Sequence, residues 1–179
     1  YSSICLIVKA LRQVNVHEQR IVFDIYTSTV LSEKLRSRLN TAETTLHDAV
    51  SFEKVLELQR RADILVHVEG LSLKERLDVA HSFSTKIVDY LQQCKPIFVV
   101  GKDDCASIRY FTDNDSGIVA QNYDEIVRKL TAVAASPEIL EDYAEKAWTC
   151  GEKNHRKSIH QEALKNDLFN VVKQTNKTR

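Results

Sequence analysis

Apolar side chains at Ile4, Ile7, Val8, Leu11 and Val14 recur at helical spacing, and the pattern then gives way to the β-branched and aromatic run Ile21-Val22-Phe23-Asp24-Ile25-Tyr26. A helix followed by a strand is expected. Ser32 is placed to cap a short helix through Leu39, with Glu33 in its first turn complementing the helix dipole. Leu46 to Val50 reads as a modest strand, and Ser51 as the cap of a helix whose apolar face is Phe52, Val55, Leu56 and Leu58. Asp63-Ile64-Leu65-Val66-His67-Val68 is a strongly apolar strand, and the charged stretch from Glu69 to Ala80 is a long connection of the kind that often carries function. Ser84 or Thr85 can cap a helix running to about Cys94. Pro96 opens the strand Ile97-Phe98-Val99-Val100, where no amide donor is needed, and Gly101 closes it. A helix from about Asp104 to Phe111, a turn at Asp115-Ser116-Gly117 and a small strand Ile118-Val119-Ala120 follow. Asn122 and Glu125 have capping-box spacing for a helix Tyr123 to Ala135. Ser136 and Pro137 predict the cap and first position of a last helical region, about 137–172, before a polar tail, 173–179, that should fray.

Helix and strand alternate throughout, and the strands around Val66 and Val99 are apolar on successive residues rather than on every second one. Such strands are buried on both faces, which predicts an α/β fold with a parallel sheet between helices. Ligands of open α/β sheets bind beyond the carboxyl ends of the strands, so the loops after Tyr26, Val50, Val68, Gly101 and Ala120 are the places for a site. A single domain, 1–179, suffices: at this length one core can bury about 70% of the unfolded surface.

Charge narrows the function. Lys plus Arg equals Asp plus Glu at 25 each, leaving no positive excess to neutralise a nucleic-acid backbone, although a small phosphorylated ligand fits. No apolar run approaches the roughly 18 residues of a membrane span, and the first residues lack the regions of a signal peptide, so a soluble, cytoplasmic protein is expected. The cysteines Cys5, Cys94, Cys105 and Cys150 form no CxxC pair and read as reduced thiols, with Cys94 and Cys105 as small core residues beside the buried strand. The histidines show no ligand spacing, and Asp113-Asn114-Asp115, although it fits a DxD metal pattern, has the composition of a turn, so no metal is expected. Trp148 reads as a packing anchor. Lys153, Arg156 and Lys157 form a basic cluster diluted by Glu152 and Glu162: a solvated face, with peripheral contact to an anionic membrane as its functional alternative.

Ser82-Phe83-Ser84-Thr85-Lys86-Ile87-Val88-Asp89-Tyr90-Leu91 places hydroxyls, free amides and an ammonium at a helix origin on the ligand side of the sheet, an arrangement that attracts phosphate. Asp89 lies one turn onward, where a carboxylate can accept from a ribose diol at about 1.5–3 kcal/mol per bond. The bland reading of the same residues is a helix cap with a surface Lys-Asp pair.

Taken with Ala62-Asp63-Ile64-Leu65-Val66-His67-Val68-Glu69 before it and Lys95-Pro96-Ile97-Phe98-Val99-Val100-Gly101 after it, this segment resembles the C-terminal, nucleotide-sugar-binding half of a GT-B glycosyltransferase of the group 1, family-4-like kind. The resemblance implies a Rossmann-like fold, Ser84, Thr85 and Lys86 beside the diphosphate, Asp89 at the nucleotide ribose, and Ala49, Val50 and Ser51 against the base. It also implies a donor-sugar region near Glu69 and near position 81, where many members carry Glu and this chain has His81. Its function would be glycosyl transfer from a nucleoside-diphosphate sugar to a glycan or lipid-linked acceptor, in polysaccharide biosynthesis, without a metal or other cofactor. The family's donor half opens on a central strand and a Gly-bearing loop, whereas this chain opens on the helix that should follow them. In the implied strand order 3-2-1-4-5-6 that loss splits the sheet. Preceding residues, holding the first strand and the acceptor domain, are therefore expected, and the chain alone should not turn over. Two other readings keep the fold: a non-catalytic α/β module that binds a protein, suggested by His81 and the absent opening loop, and a GT-B-like sugar-nucleotide epimerase using the same cradle.

Overall fold

The central strand of the fold, Ile97–Val100, is buried at every position, as a strand with helices on both faces must be. The computed structural model describes residues 1–18, 20–72 and 82–177. Along the chain lie α1 (Ser2–Val14), β1 (Phe23–Thr27), α2 (Glu33–Leu39), β2 (Thr44–Asp48), α3 (Phe52–Arg61) and β3 (Leu65–Val68). After residues 73–81, which fall outside the description, come α4 (Lys86–Leu91), β4 (Ile97–Val100), α5 (Ala106–Asp113), β5 (Ile118–Ala120), α6 (Tyr123–Ala135), α7 (Glu138–His155) and α8 (Lys157–Lys177). Among the described residues all pairings are parallel and the sheet is in two pieces, β1-β2 and β3-β4-β5, the split expected from the sequence.

Successive residues of β4 feed opposite faces. Phe98 and Val100 pack with Ile7, Ala10 and Leu11 of α1 and Ile126, Leu130 and Val133 of α6. Ile97 and Val99 pack with Ile87 and Leu91 of α4, Ile108 and Phe111 of α5, and Ala147 and Cys150 of α7. A smaller cluster of Val8, Ile25, Leu31 and Leu39 joins α1 to the β1-β2 piece. Each fully buried side chain of this size is worth about 1.5–3 kcal/mol of burial.

Local signals account for many helix starts. Ser32, Ser51 and Asn122 accept from the amides of Leu35, Lys54 and Glu125, as N-caps do. Elsewhere the structure departs from the sequence reading. β1 and β2 each begin two residues away from the apolar runs, because parallel pairing of Phe23 with Thr44 sets their limits. Ser136 closes α6 instead of capping α7, and Pro137 is itself the N-cap of α7. The last helical region is two helices parted at Arg156, whose ψ of 114° is extended, and the second runs through Lys177. Trp148 is 41% exposed rather than a buried anchor. Cys105 is buried as expected, but Cys94 is exposed and left-handed, with φ 53°. It turns the chain after α4, which stops at Leu91 ahead of Lys95-Pro96, since a residue preceding proline avoids the helical region.

Candidate functional site

Parallel strands point their carboxyl ends to one edge, and at that edge of β3 the chain leaves the sheet through Glu69. A cavity of about 480 Å³ opens there, lined by Val66, His67, Val68, Glu69, Ser82, Phe83, Ser84, Thr85, Lys86 and Tyr90. Its wall is thus built from the end of β3, the 82–85 loop and the start of α4.

The loop is held from behind. Phe83 packs edge-on against Tyr110 of α5, with ring centroids 5.2 Å apart, and stacks near His155 at the end of α7. The Tyr110 hydroxyl lies 2.8 Å from His155 Nε2 and 3.1 Å from Cys150 Sγ. Burial, and then the neighbouring Cys150 thiol, push the Tyr110 phenol well above its usual range, so it stays protonated. Two helices are thereby tied to the loop that presents Ser84 and Thr85.

At the helix origin the backbone bonds are of the tight kind: Ile87 N–H donates to the Ser84 carbonyl and Val88 N–H to the Thr85 carbonyl. Thr85 occupies the N-cap position of α4 with helical dihedrals and makes no side-chain cap bond, because an N-cap hydroxyl reaches the amides from extended backbone. The side-chain cap expected of Ser84 or Thr85 is not made, and both residues line the cavity. Lys86 is exposed and makes no ion pair among the described residues. Asp89 sits one turn further along α4, half-buried, and is not part of the lining.

Beneath the loop runs a buried polar chain. His67 of β3 and Glu69, the first residue past its end, are two apart and project to the same side, with His67 Nε2 3.2 Å from Glu69 Oε1. His67 Nε2 is fully buried, and this carboxylate oxygen is its one polar neighbour among the described residues. Ser107 of α5, completely buried, donates to Glu69 Oε1 at 2.9 Å and lies 3.3 Å from the Ser82 carbonyl. His67 first, and Ser107 after it, hold the Glu69 carboxyl below the usual range against the opposing effect of burial. The crossing is tight: a Cβ on Gly101 would lie 2.5 Å from Ile108 and 3.1 Å from Glu69.

Ala49, Val50 and Ser51 are not among the residues that line this cavity. Ala49 and Val50 are exposed at the end of β2, and Ser51 is engaged as the N-cap of α3. His81 lies outside the described residues. Asp113-Asn114-Asp115 is the turn that ends α5: Asn114 is the C-cap, Asp115 is left-handed at φ 46°, and its carboxylate meets Lys146 at 2.8 Å. Lys153 lines a second cavity beside that turn, and Arg156, the C-cap of α7, pairs with Glu152 of that helix. His67, Ser82, Phe83, Tyr90 and Ser107 are site residues that the sequence reading did not single out. The signal for one of them was present: His-x-Glu at a strand's carboxyl end puts both side chains on one face.

No protein-family model and no curated protein matches the chain. Among solved structures, the crystal structure of WaaG, a glycosyltransferase involved in lipopolysaccharide biosynthesis, superposes with a TM-score of 0.53 at 13% identity. The fold is Rossmann-like, parallel sheets flanked by helices, and matches one half of the GT-B architecture. The match covers 88% of this chain and 50% of the WaaG chain, so the present GT-B-like half spans about half the length of that structure. No helix among the described residues is long and apolar enough to cross a membrane.

Proposed function

We propose that the cavity at the end of β3 receives the diphosphate of a nucleoside-diphosphate sugar, and that the chain is the donor-binding half of a metal-independent glycosyltransferase. The enzyme would break the bond between the anomeric carbon and the diphosphate oxygen and form one to an acceptor hydroxyl on a glycan or lipid-linked glycan. The departing diphosphate takes the bonding electrons, and donors aimed at that developing charge lower the barrier. One observation carries the reading: on a GT-B-like fold, Ser84, Thr85 and Lys86 line the same cavity. Asp89 would take the ribose, and Ala49, Val50 and Ser51 the base.

Titration calorimetry with uridine, guanosine and adenosine diphosphates tests it. Micromolar affinity corresponds to about 8 kcal/mol, and Lys86→Ala should weaken binding about tenfold, or 1.4 kcal/mol. Asp89→Asn should weaken it further. Absence of binding by the folded protein, or unchanged affinity in both variants, would overturn the reading. The position of Asp89 outside the lining favours a second reading, a non-catalytic protein-binding module, which predicts that none of the three diphosphates binds.

A further inference from the structure

A strand at the end of a sheet exposes unpaired amides and carbonyls, and natural folds blunt such an edge with a charge, a proline or a covering element. Among the described residues β5 pairs with β4 and with no other strand, so Ile118-Val119-Ala120 is such an edge. Nothing in the strand itself blunts it: its three side chains are apolar, and neither proline nor charge interrupts them. Long-range repulsion between copies is absent as well, because the formal net charge is zero.

Helix α6 supplies what the strand lacks. Successive residues of a strand turn their backbone groups to opposite edges, and the Ala120 carbonyl, which accepts from the Gly101 amide, faces β4. The Val119 carbonyl therefore faces outward, as does the Gln121 amide just past the strand. Lys129 Nζ donates to the first, and Glu125 Oε2 accepts from the second at 2.9 Å. Ile126, Leu130 and Val133 are packed into the core, which fixes the rotation of α6, and Glu125 and Lys129, four apart, share the adjoining stripe. Half-burial pulls the Lys129 ammonium below its ordinary pKa, an effect that Glu125 opposes. Capping of α6 accounts for Glu125 alone, whose other oxygen accepts from Asn122 Nδ2 at 2.8 Å. It gives Lys129, a full turn further inside the helix, no reason to reach the strand. Together the pair presents to β5 one acceptor and one donor, the two kinds of group a neighbouring strand would offer.

We propose that Glu125 and Lys129 stand in for a neighbouring strand and guard the β5 edge, and that Lys129 is the part that keeps β5 of a second copy of this chain from pairing there. With the guard removed, two copies meet about a two-fold axis, their β5 strands antiparallel, and join their sheets into one.

Sedimentation velocity at rising concentration of the whole chain compares wild type, Lys129→Met and Lys129→Arg. Lys129→Met keeps the unbranched stem and removes the donors. It should self-associate about tenfold more strongly than wild type, a difference of 1.4 kcal/mol, while Lys129→Arg, which keeps a cationic donor, should match wild type. The edges of β1 and β3 at the split in the sheet are the same in all three proteins, so a difference between them reports on β5. Adding Val119→Pro to Lys129→Met should abolish the gain: the Val119 amide faces outward, so a proline there blocks a new strand and takes no bond from the β4 ladder. Equal association of Lys129→Met and wild type, a gain shared by Lys129→Arg, or a gain that Val119→Pro leaves intact would each overturn the proposal. Hydrogen exchange in the wild type reads the guard without any variant. The Gln121 amide should exchange as slowly as that of Gly101, which is bonded within the sheet, and fast exchange at Gln121 would overturn the proposal too.

Discussion

The hydroxyl of Ser107 donates to Glu69 Oε1 at 2.9 Å, joining α5 to the last residue of the cavity floor across 38 positions of sequence. Because Ser107 is completely buried and also touches the Ser82 carbonyl, the bond holds the strand end and the 82–85 loop against one helix. A hydrogen bond to a charged acceptor contributes about 1.5–3 kcal/mol. Ser107→Ala should lower the unfolding free energy by that amount in urea titrations, with an unchanged m-value. A loss below about 0.5 kcal/mol would show that Glu69 finds another donor, water included.

The same carboxylate makes stability depend on pH. His67 and Ser107 hold the folded-state pKa of Glu69 below the usual value of about 4.3, so the folded protein binds its proton less readily than the unfolded chain does. The stabilisation is complete above the unfolded pKa and disappears as pH falls through the depressed folded value. Urea midpoints measured from pH 6 down to pH 3 should fall less steeply for Glu69→Gln than for wild type. Parallel curves would place the acid sensitivity elsewhere.

Cys94 bears a strain that a smaller residue relieves. Its φ of 53° lies in the left-handed region, where a Cβ costs about 1–2 kcal/mol and glycine is at ease. Glycine also gives the unfolded chain more freedom, which offsets about 0.4–1 kcal/mol. Cys94→Gly should therefore stabilise by up to about 1 kcal/mol, read as a thermal midpoint raised by a few degrees. Cys94→Val, β-branched, should lower it.

These residues mark where sequence was informative. The α1 repeat of Ile7 and Leu11, the unbroken apolar run of β4 and the caps at Ser32, Ser51 and Asn122 are local signals, and the fold uses them as they stand. Ser84, Thr85 and Lys86 were legible as a group because they are consecutive. Ser107 was not, because α5 comes to β3 only in the folded cluster that also holds Leu65, Val99 and Phe111, a relation no local pattern contains. Asp89 lies outside the cavity's lining for a related reason. Helical spacing places it near Lys86, but which face of so short a helix lines the cavity is decided by Ile87 and Leu91, buried against α5 and α7.

Phe83 is where fold stability and ligand binding separate. Its ring contacts with Tyr110 and His155 anchor the loop, but it is 39% exposed and its removal leaves the core intact. Aromatic pairs contribute about 0.5–1.5 kcal/mol each beyond area, so Phe83→Ala should cost about 1–2 kcal/mol in urea. Its larger effect should fall on binding, because a loop no longer held in place must be ordered when ligand enters, at a cost taken from affinity. Hydrogen exchange at the amides of residues 82–88 should quicken in the variant, and affinity for a bound nucleoside diphosphate should weaken several-fold more than Tyr90→Phe weakens it. Tyr90 lines the same cavity from α4, so the phenylalanine there changes polarity and leaves the loop's anchor in place. Equal losses in the two variants would mean that the lining's chemistry, and not the anchored loop, limits binding.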